Sequence, residues 1–244
     1  MVRISVAMAT YNGGNYIEEQ LRSVLTQLGK EDEIVISDDG SNDGTIGIIK
    51  GFADSRIRLY EGGFKDYLKN FDHALSKCNG RFVFLCDQDD IWEPGKVQVM
   101  LKYLDSHNMV VSDCTVVDNE LNVIQESFYQ QRHSGQGFVK NLISNSYLGC
   151  CMAFRKEVLS AALPFPKRVY SHDTWIGLIA ELMGNPIFIK DKLIKYRRHG
   201  NNASWASEKS RNGVFMKSKI RFHLIKGLTG RYQKIRSLRT APEA

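Results

Sequence analysis

An α/β fold with an open sheet is predicted by two observations. Short apolar runs end abruptly in polar loops, and between them lie stretches whose apolar residues recur at helical spacing. The runs Arg3–Thr10, Glu33–Ser37 and Phe82–Cys86 are rich in Ile, Val, Phe and Ala, as strands of a buried sheet are. They open into Tyr11-Asn12-Gly13-Gly14, into Asp38-Asp39-Gly40-Ser41, and into Asp87-Gln88-Asp89-Asp90-Ile91-Trp92. In an open α/β sheet the ligand crevice lies outside the carboxyl ends of the strands, so these three loops form the candidate site.

The elements follow in order. After the first strand, Ile17, Leu21, Val24, Leu25 and Leu28 mark a helix. After the second, a helix runs through Ile46, Ile49 and Phe52, followed by a short strand Arg56–Tyr60. Pro94 suits the first position of the next helix, whose stripe is Val97, Leu101 and Leu104. Met109–Cys114 reads as a strand, and Thr115–Gln125 as an extended segment turning near Asn119. Residues 126–146 read as a surface loop with a short helix around Val139–Ile143. Tyr147–Arg155 reads as a strand, Ser171–Met183 as a helix and Lys192–Tyr196 as a strand, giving a mixed sheet.

Composition limits the function classes. Hydrophobic content of 43% is ordinary for a soluble domain, and no run approaches a membrane span. The start of the chain goes straight into a strand and lacks the sections of a signal peptide. The five cysteines (78, 86, 114, 150 and 151) are odd in number and lack CxxC spacing, so they are expected as reduced core residues of a cytoplasmic protein. The Asn202-Ala203-Ser204 sequon is then irrelevant. The absence of GxGxxG and GxxxxGK[ST] removes dinucleotide and P-loop enzymes, and the six histidines form no zinc set.

Three carboxylates at Asp87, Asp89 and Asp90 repel one another unless a cation or a proton relieves them. Oxygen ligands favour Mg²⁺ or Mn²⁺, whose shell is usually completed by substrate phosphates. Taken alone, that segment also fits a solvated acidic turn.

The loop motifs, with Tyr16, Glu19, Leu21, Ser23-Val24 and Gln27, resemble family 2 of the inverting glycosyltransferases, which has the nucleotide-sugar-binding GT-A fold. The resemblance continues at Leu148–Arg155, at Ser171-His172-Asp173-Thr174-Trp175 and at Tyr196-Arg197-Arg198-His199-Gly200-Asn201-Asn202, covering about residues 3–205. It implies a GT-A domain over 1–205, with a nucleotide-sugar-binding half over about 1–115 and an acceptor half over about 116–205. The chain looks most like the rhamnosyltransferase-like branch, whose members extend bacterial surface polysaccharides.

The resemblance also implies residue roles. Asp89 would be the main ligand of Mn²⁺ or Mg²⁺, with His199 completing its shell. Thr10, Tyr11 and Asn12 would hold base and ribose, and Asp39 would accept a hydrogen bond from a pyrimidine N3–H, favouring a UDP- or dTDP-sugar. Asp87, Gln88, Asn70 and Arg198 would meet the donor, with Arg197 or Arg198 neutralising leaving-group charge. Asp173 would be the catalytic base, although an Asp at a helix start also serves as a cap. The family's acidic pair is departed from here, since His172 precedes Asp173, and Lys69-Asn70 stands where many relatives carry Arg-Asn. A sugar nucleotidyltransferase and a non-catalytic nucleotide-sugar- or glycan-binding subunit are the alternatives.

The tail differs from the body. From Lys209 to Arg239 there are ten Lys or Arg and no acid, so the overall charge of +6 arises there while residues 1–208 carry −3. Ile225, Leu228, Tyr232, Ile235 and Leu238 recur at helical spacing, with Phe215 and Phe222 upstream and Gly227 and Gly230 as interruptions. Residues 206–244 are therefore expected to be a basic amphipathic helical tail. It either lies on an anionic membrane, at the inner face, or packs on the domain. The expected partners are a nucleotide-sugar donor and a glycan or lipid-linked acceptor. Nucleic acid is not expected, because the acidic body would repel phosphate backbones.

Overall fold

The computed structural model describes residues 2–199 and 213–240. Strand β1 (Ile4–Thr10), helix α1 (Ile17–Leu25), β2 (Glu33–Asp38), α2 (Thr45–Gly51), β3 (Ile57–Glu61), α3 (Tyr67–Ser76) and β4 (Phe82–Cys86) form the first half. Then come β5 (Ile91–Trp92), α4 (Lys96–Leu104), β6 (Met109–Val117), β7 (Val123–Gln125), α5 (Phe128–Arg132) and α6 (Phe138–Ile143). A 3-10 turn over Gly149–Cys151 leads into β8 (Met152–Arg155), α7 (Lys156–Ala162), α8 (His172–Met183), β9 (Pro186–Arg197) and α9 (Val214–Thr240).

One mixed sheet orders the strands β3-β2-β1-β4-β8-β6-β9-β5, with β7 paired beside β6. Strands β3, β2, β1 and β4 are parallel, β8 runs against both β4 and β6, and β6 and β9 are parallel. The register aligns Thr10 with Asp38 and Met8 with Cys86 in parallel strands, so the predicted polar loops leave the carboxyl ends of the strands on one side of the sheet. Side chains of β2 and β4 are buried without exception, which is why these strands read as unbroken apolar runs.

Several expectations are corrected. Pro94 precedes α4 rather than opening it, because Gly95, at φ 83°, occupies the N-cap. Tyr147–Arg155 is a strand only from Met152. Strand β9 begins at Pro186, and its pairing with β6 shifts register between Ser112 and Asp113 and again before Thr115. Its exposed stretch around Asp191 masks the first part of the strand. Three helices, α3, α5 and α7, are not predicted by the sequence reading. Helix α3 is capped by the Asp66 carboxylate, which accepts from the amides of Leu68 and Lys69, and it buries Asn70, Phe71, Ala74 and Leu75. Helix α7 buries Val158, Leu159, Ala161 and Ala162.

Tail helix α9 is continuous for 27 residues through Gly227 and Gly230. Gly227 has a reason to be there: an added Cβ would lie 3.0 Å from the Trp175 ring, so the missing side chain lets α9 rest on α8. Leu224, Leu228 and Ile235 are buried in that contact. Among the described residues no helix is long and apolar enough to cross a membrane. The expectations for Gly200-Asn201-Asn202, the sequon and tail residues 206–212 lie outside the described residues.

Candidate active site

The crevice is built by loops that fasten one another. Asp38 ends β2 with both carboxylate oxygens occupied: Thr10 Oγ1 and Ser41 Oγ donate to Oδ2 at 2.8 and 2.6 Å, and the Gly40 and Ser41 amides donate to Oδ1. Asp38 is thereby a structural anchor. Asp39 projects differently, and its two oxygens each accept one amide, from Lys65 and Asp66, both at 2.9 Å. Each oxygen keeps a further lone pair. Of the predicted donor contacts, Thr10 spends its hydroxyl on Asp38, and its carbonyl accepts from the Asp39 amide and from Asn70 Nδ2. Asn70 Oδ1, buried, has no hydrogen-bond partner.

The Asn12 amide donates to Ser41 Oγ, and Asn12 Oδ1 accepts from the Asn42 amide. Gln88 is placed as a brace between loops. Its Oε1 accepts from the Tyr11 amide at 2.9 Å and its Nε2 donates to the Tyr11 carbonyl at 3.0 Å. That brace requires glycine at 13, where a Cβ would stand 2.4 Å from Gln88 Oε1. The Tyr11 ring itself is exposed.

In the carboxylate loop the three aspartates separate into different environments. Asp90 is fully buried; its Oδ1 accepts from the Arg197 amide at 2.9 Å, and the Cys150 thiol lies near its carboxylate. Burial pushes Asp90 well above the usual carboxylate range. Asp87 is raised to about 7, first by burial and then by the charges of Asp89 and Asp173. Oxygens of Asp87 and Asp90 lie with the Cys150 thiol within 4.8 Å of one another. Asp89 Oδ2 lies 2.9 Å from His199 Nε2, and the His199 ring stacks on Tyr16 at 4.7 Å. The two predicted metal ligands are therefore brought together from opposite halves of the chain.

Two buried cations support this loop, and the sequence did not single out the first. Lys96 is fully buried, donates to the Cys150 carbonyl at 2.7 Å and lies 4.4 Å from the centre of the Trp92 ring. Its charge opposes the upward shift of Asp87. Arg197, expected near the leaving group, is instead committed to the scaffold. It pairs with Glu19 at 2.6 Å, donates to the carbonyls of Asp89 and Asn119, and lies over Tyr16. Arg198 is half-buried, and its amide donates to the Val117 carbonyl. Gln20, also unread, donates to the Asp87 carbonyl from α1 and fixes the end of β4.

Asp173 stands in the first turn of α8. Ser171 is the N-cap and accepts from the Thr174 amide at 3.5 Å, while Asp173 Oδ1 accepts the same amide at 2.5 Å, so the two side chains share the cap. Asp173 also accepts from Ser171 Oγ. Burial raises it to about 6, although its hydrogen bonds oppose the shift. Asp87 feels its charge, as does Tyr67, so the candidate base faces the carboxylate loop. Neighbouring His172 is buried with its ring stacked on Phe71 at 4.0 Å, and neither ring nitrogen has a hydrogen-bond partner. Burial lowers its pKa to about 4, which keeps it neutral.

Sequence and structure comparisons bear on the family and the fold. The dTDP-rhamnosyl transferase RfbG of Shigella flexneri is 28% identical over 80% of this chain and 72% of its own length. An Escherichia coli enzyme, the UDP-Glc:alpha-D-GlcNAc-diphosphoundecaprenol beta-1,3-glucosyltransferase WfgD, is 26% identical over 72% of this chain and 68% of its own. The S. aureus TarS 1–349 structure in complex with UDP-GlcNAc superposes with a TM-score of 0.69 at 18% identity, covering 97% of this chain and 71% of that one. The model of glycosyl transferase family 2 matches residues 5–163, the sheet follows the GT-A plan, and the chain belongs to that family of glycosyltransferases.

Proposed function

We propose that this protein is an inverting, metal-dependent glycosyltransferase that moves a sugar from a UDP- or dTDP-sugar to a glycan or lipid-linked acceptor in bacterial surface polysaccharide synthesis. The single observation that carries this reading is the gathering of Asp87, Asp89 and Asp173 about one crevice, where burial first and the charges of Asp89 and Asp173 second raise Asp87 to about 7. Such packing of carboxylates is costly unless a cation or a proton is shared among them.

Residues about 1–115 supply the donor half. Asp39 keeps lone pairs for the N3–H of a pyrimidine, while Tyr11, Asn12 and Asn70 line the base and ribose. Thr10 and Gln88 act by holding those neighbours in place. Asp87 contacts the ribose or the metal shell, and Arg198, beside His199, meets the diphosphate. The donor set of Asp89 and His199, one carboxylate and one imidazole nitrogen 2.9 Å apart, suits Mn²⁺ through both side chains, while Mg²⁺ would be held through the carboxylate. When bound, that ion supplies Lewis-acid stabilisation of the departing diphosphate.

The acceptor half supplies the base. Asp173, at about 6, is ionised near neutrality yet basic enough to receive the proton of the attacking hydroxyl. One base with no protein nucleophile implies a single displacement and inversion. A lipid-linked acceptor would place the protein at the inner face of the plasma membrane. The direct test is a screen of nucleotide sugars with Mn²⁺ or Mg²⁺, read as nucleoside diphosphate release, with NMR of the product anomer. Release from UDP- or dTDP-sugars with inverted product is expected; a retained anomer would overturn the mechanism.

A further inference from the structure

Helix α9 carries two apolar faces, and the domain uses one of them. Leu224, Leu228 and Ile235 are buried against the domain. Phe215 (84% exposed), Phe222 (63%), Ile225 and Tyr232 are left in solvent. Placed at 3.6 residues per turn, these four fall on one arc of about 100° that does not overlap the docked face. Arg221 donates to the Ile143 carbonyl at 2.7 Å, which brings the end of α6 to the flank of α9. There Val139 and Ile143, one turn apart on α6, are exposed as well. An apolar surface assembled from two elements on a soluble domain marks a contact site.

The charge around this surface says what covers it. Lys140, Lys219 and Lys226 are exposed beside it, and the stretch Lys209–Arg239 has ten bases and no acid. A second copy would bring two such basic rims together, whereas anionic lipid complements them. We propose that Val139 and Ile143 of α6, with Phe215, Phe222, Ile225 and Tyr232 of α9, form one membrane-contact face that seats the protein on a bilayer containing anionic lipid. The aromatic and aliphatic side chains enter the headgroup boundary while the lysines stay at its surface. The proposal rests on the glycosyltransferase reading only for its purpose, since a lipid-linked acceptor would lie in the same bilayer. The α6 portion is invisible in the tail sequence and gives the proposal its own test.

The experiment is co-sedimentation of the full chain with phosphatidylcholine vesicles containing roughly one-third phosphatidylglycerol. The parent is expected to bind and to lose only part of its binding in ~0.5 M salt, because screening removes attraction to charge and leaves apolar insertion. The pair Phe215→Asp and Phe222→Asp should lower partitioning ~tenfold or more, and Val139→Asp with Ile143→Asp, tail intact, should lower it ~several-fold. All four positions are exposed, so circular dichroism should match the parent. A parent that does not bind, or an α6 pair that binds like the parent, overturns the proposal. So does a parent dimer that the same substitutions break, which would name a second copy as the occupant. Calorimetry with UDP and dTDP on the same preparations keeps the readings apart. Lost nucleotide binding in the parent counts against the enzyme, while lost vesicle binding with nucleotide binding intact counts only against this face.

Discussion

His199 Nε2 lies 2.9 Å from Asp89 Oδ2 although 110 positions separate them in the chain. The carboxylate leaves β4 in the first half, and the imidazole arrives just after β9, the last strand. Arg197, the final residue of β9, fastens the junction through the hydrogen bond its amide donates to Asp90 and through the ion pair to Glu19. The candidate cation site is complete only when both halves of the sheet have formed.

Removing either partner should therefore uncouple cation from nucleotide. In Asp89→Ala the gain in UDP or dTDP affinity conferred by Mn²⁺ is expected to vanish, and in His199→Ala to shrink ~tenfold or more. Titration calorimetry with and without Mn²⁺ reads both. An undiminished Mn²⁺ effect in Asp89→Ala rejects the ligand assignment.

Asp173→Asn should leave donor affinity near the parental value and lower kcat by roughly 10²–10⁴. The carboxylate accepts a proton only when ionised, and burial raises it to about 6. Parental kcat should accordingly climb as pH rises through about 6 and level off above it, a limb missing in the variant. A parental turnover rate in Asp173→Asn would leave this residue a structural role only.

His172 gives the fold a separate acid sensitivity. Its pKa falls from 6.5 to about 4 on burial, so the unfolded chain takes up the proton first as the solution is acidified. The neutral ring's contribution is complete above pH 6.5 and is lost as pH falls towards 4. Between pH 6.5 and 5 the loss from this group should be about 1.5 kcal/mol. Asp173 and Asp87, raised on folding, act in the opposite direction, so the comparison must be with a variant. Denaturant unfolding of parent and His172→Asn at both pH values isolates the effect; parallel pH profiles would rule it out.

The brace between Gln88 and the Tyr11 backbone should be sensitive to a single methyl group. Gly13→Ala places a Cβ 2.4 Å from Gln88 Oε1 and displaces the flexible end of that side chain. Gln88→Ala and Gly13→Ala are each expected to weaken donor binding by about 1 kcal/mol. The double variant should lose little more than either single one, because both break the same two hydrogen bonds. Strict additivity in a calorimetric double-mutant cycle would show that the two positions act independently.

The parallel core was legible because β1, β2 and β4 are buried on both faces and carry long apolar runs. The loops after them stood out for the same reason, being sharply polar. Helix α3 carries a signal in Asp66 followed by Leu68, Phe71, Ala74 and Leu75, with the polar pair Lys69 and Asn70 interrupting the apolar stripe. What local pattern could not give was pairing across distance. Ile91 and Trp92 form a strand only because β9 lies beside them. Arg197 looked like a ligand for phosphate until its partner Glu19, on α1, was in place. Lys96 reads as an ordinary first-turn lysine, and only the packed structure puts its ammonium under the carboxylate loop. For the tail, the sequence leaves an anionic membrane surface and packing on the domain as alternatives; α9 packs on the domain, with Leu224 and Leu228 buried and Gly227 against Trp175 of α8, and the membrane contact is a proposal.

The seat of Gly227 on Trp175 lies two residues from Asp173 along α8. The helix that holds the tail is thus the helix that presents the carboxylate, and no hinge intervenes between them. On the membrane-contact proposal the tail would act as a fixed spacer: whatever it touched would stand at a set height from the carboxylate, and an acceptor would reach the site only if its own length matched that height. A side chain at position 227 would tilt the spacer and change the reach, leaving every residue that touches the nucleotide as it was.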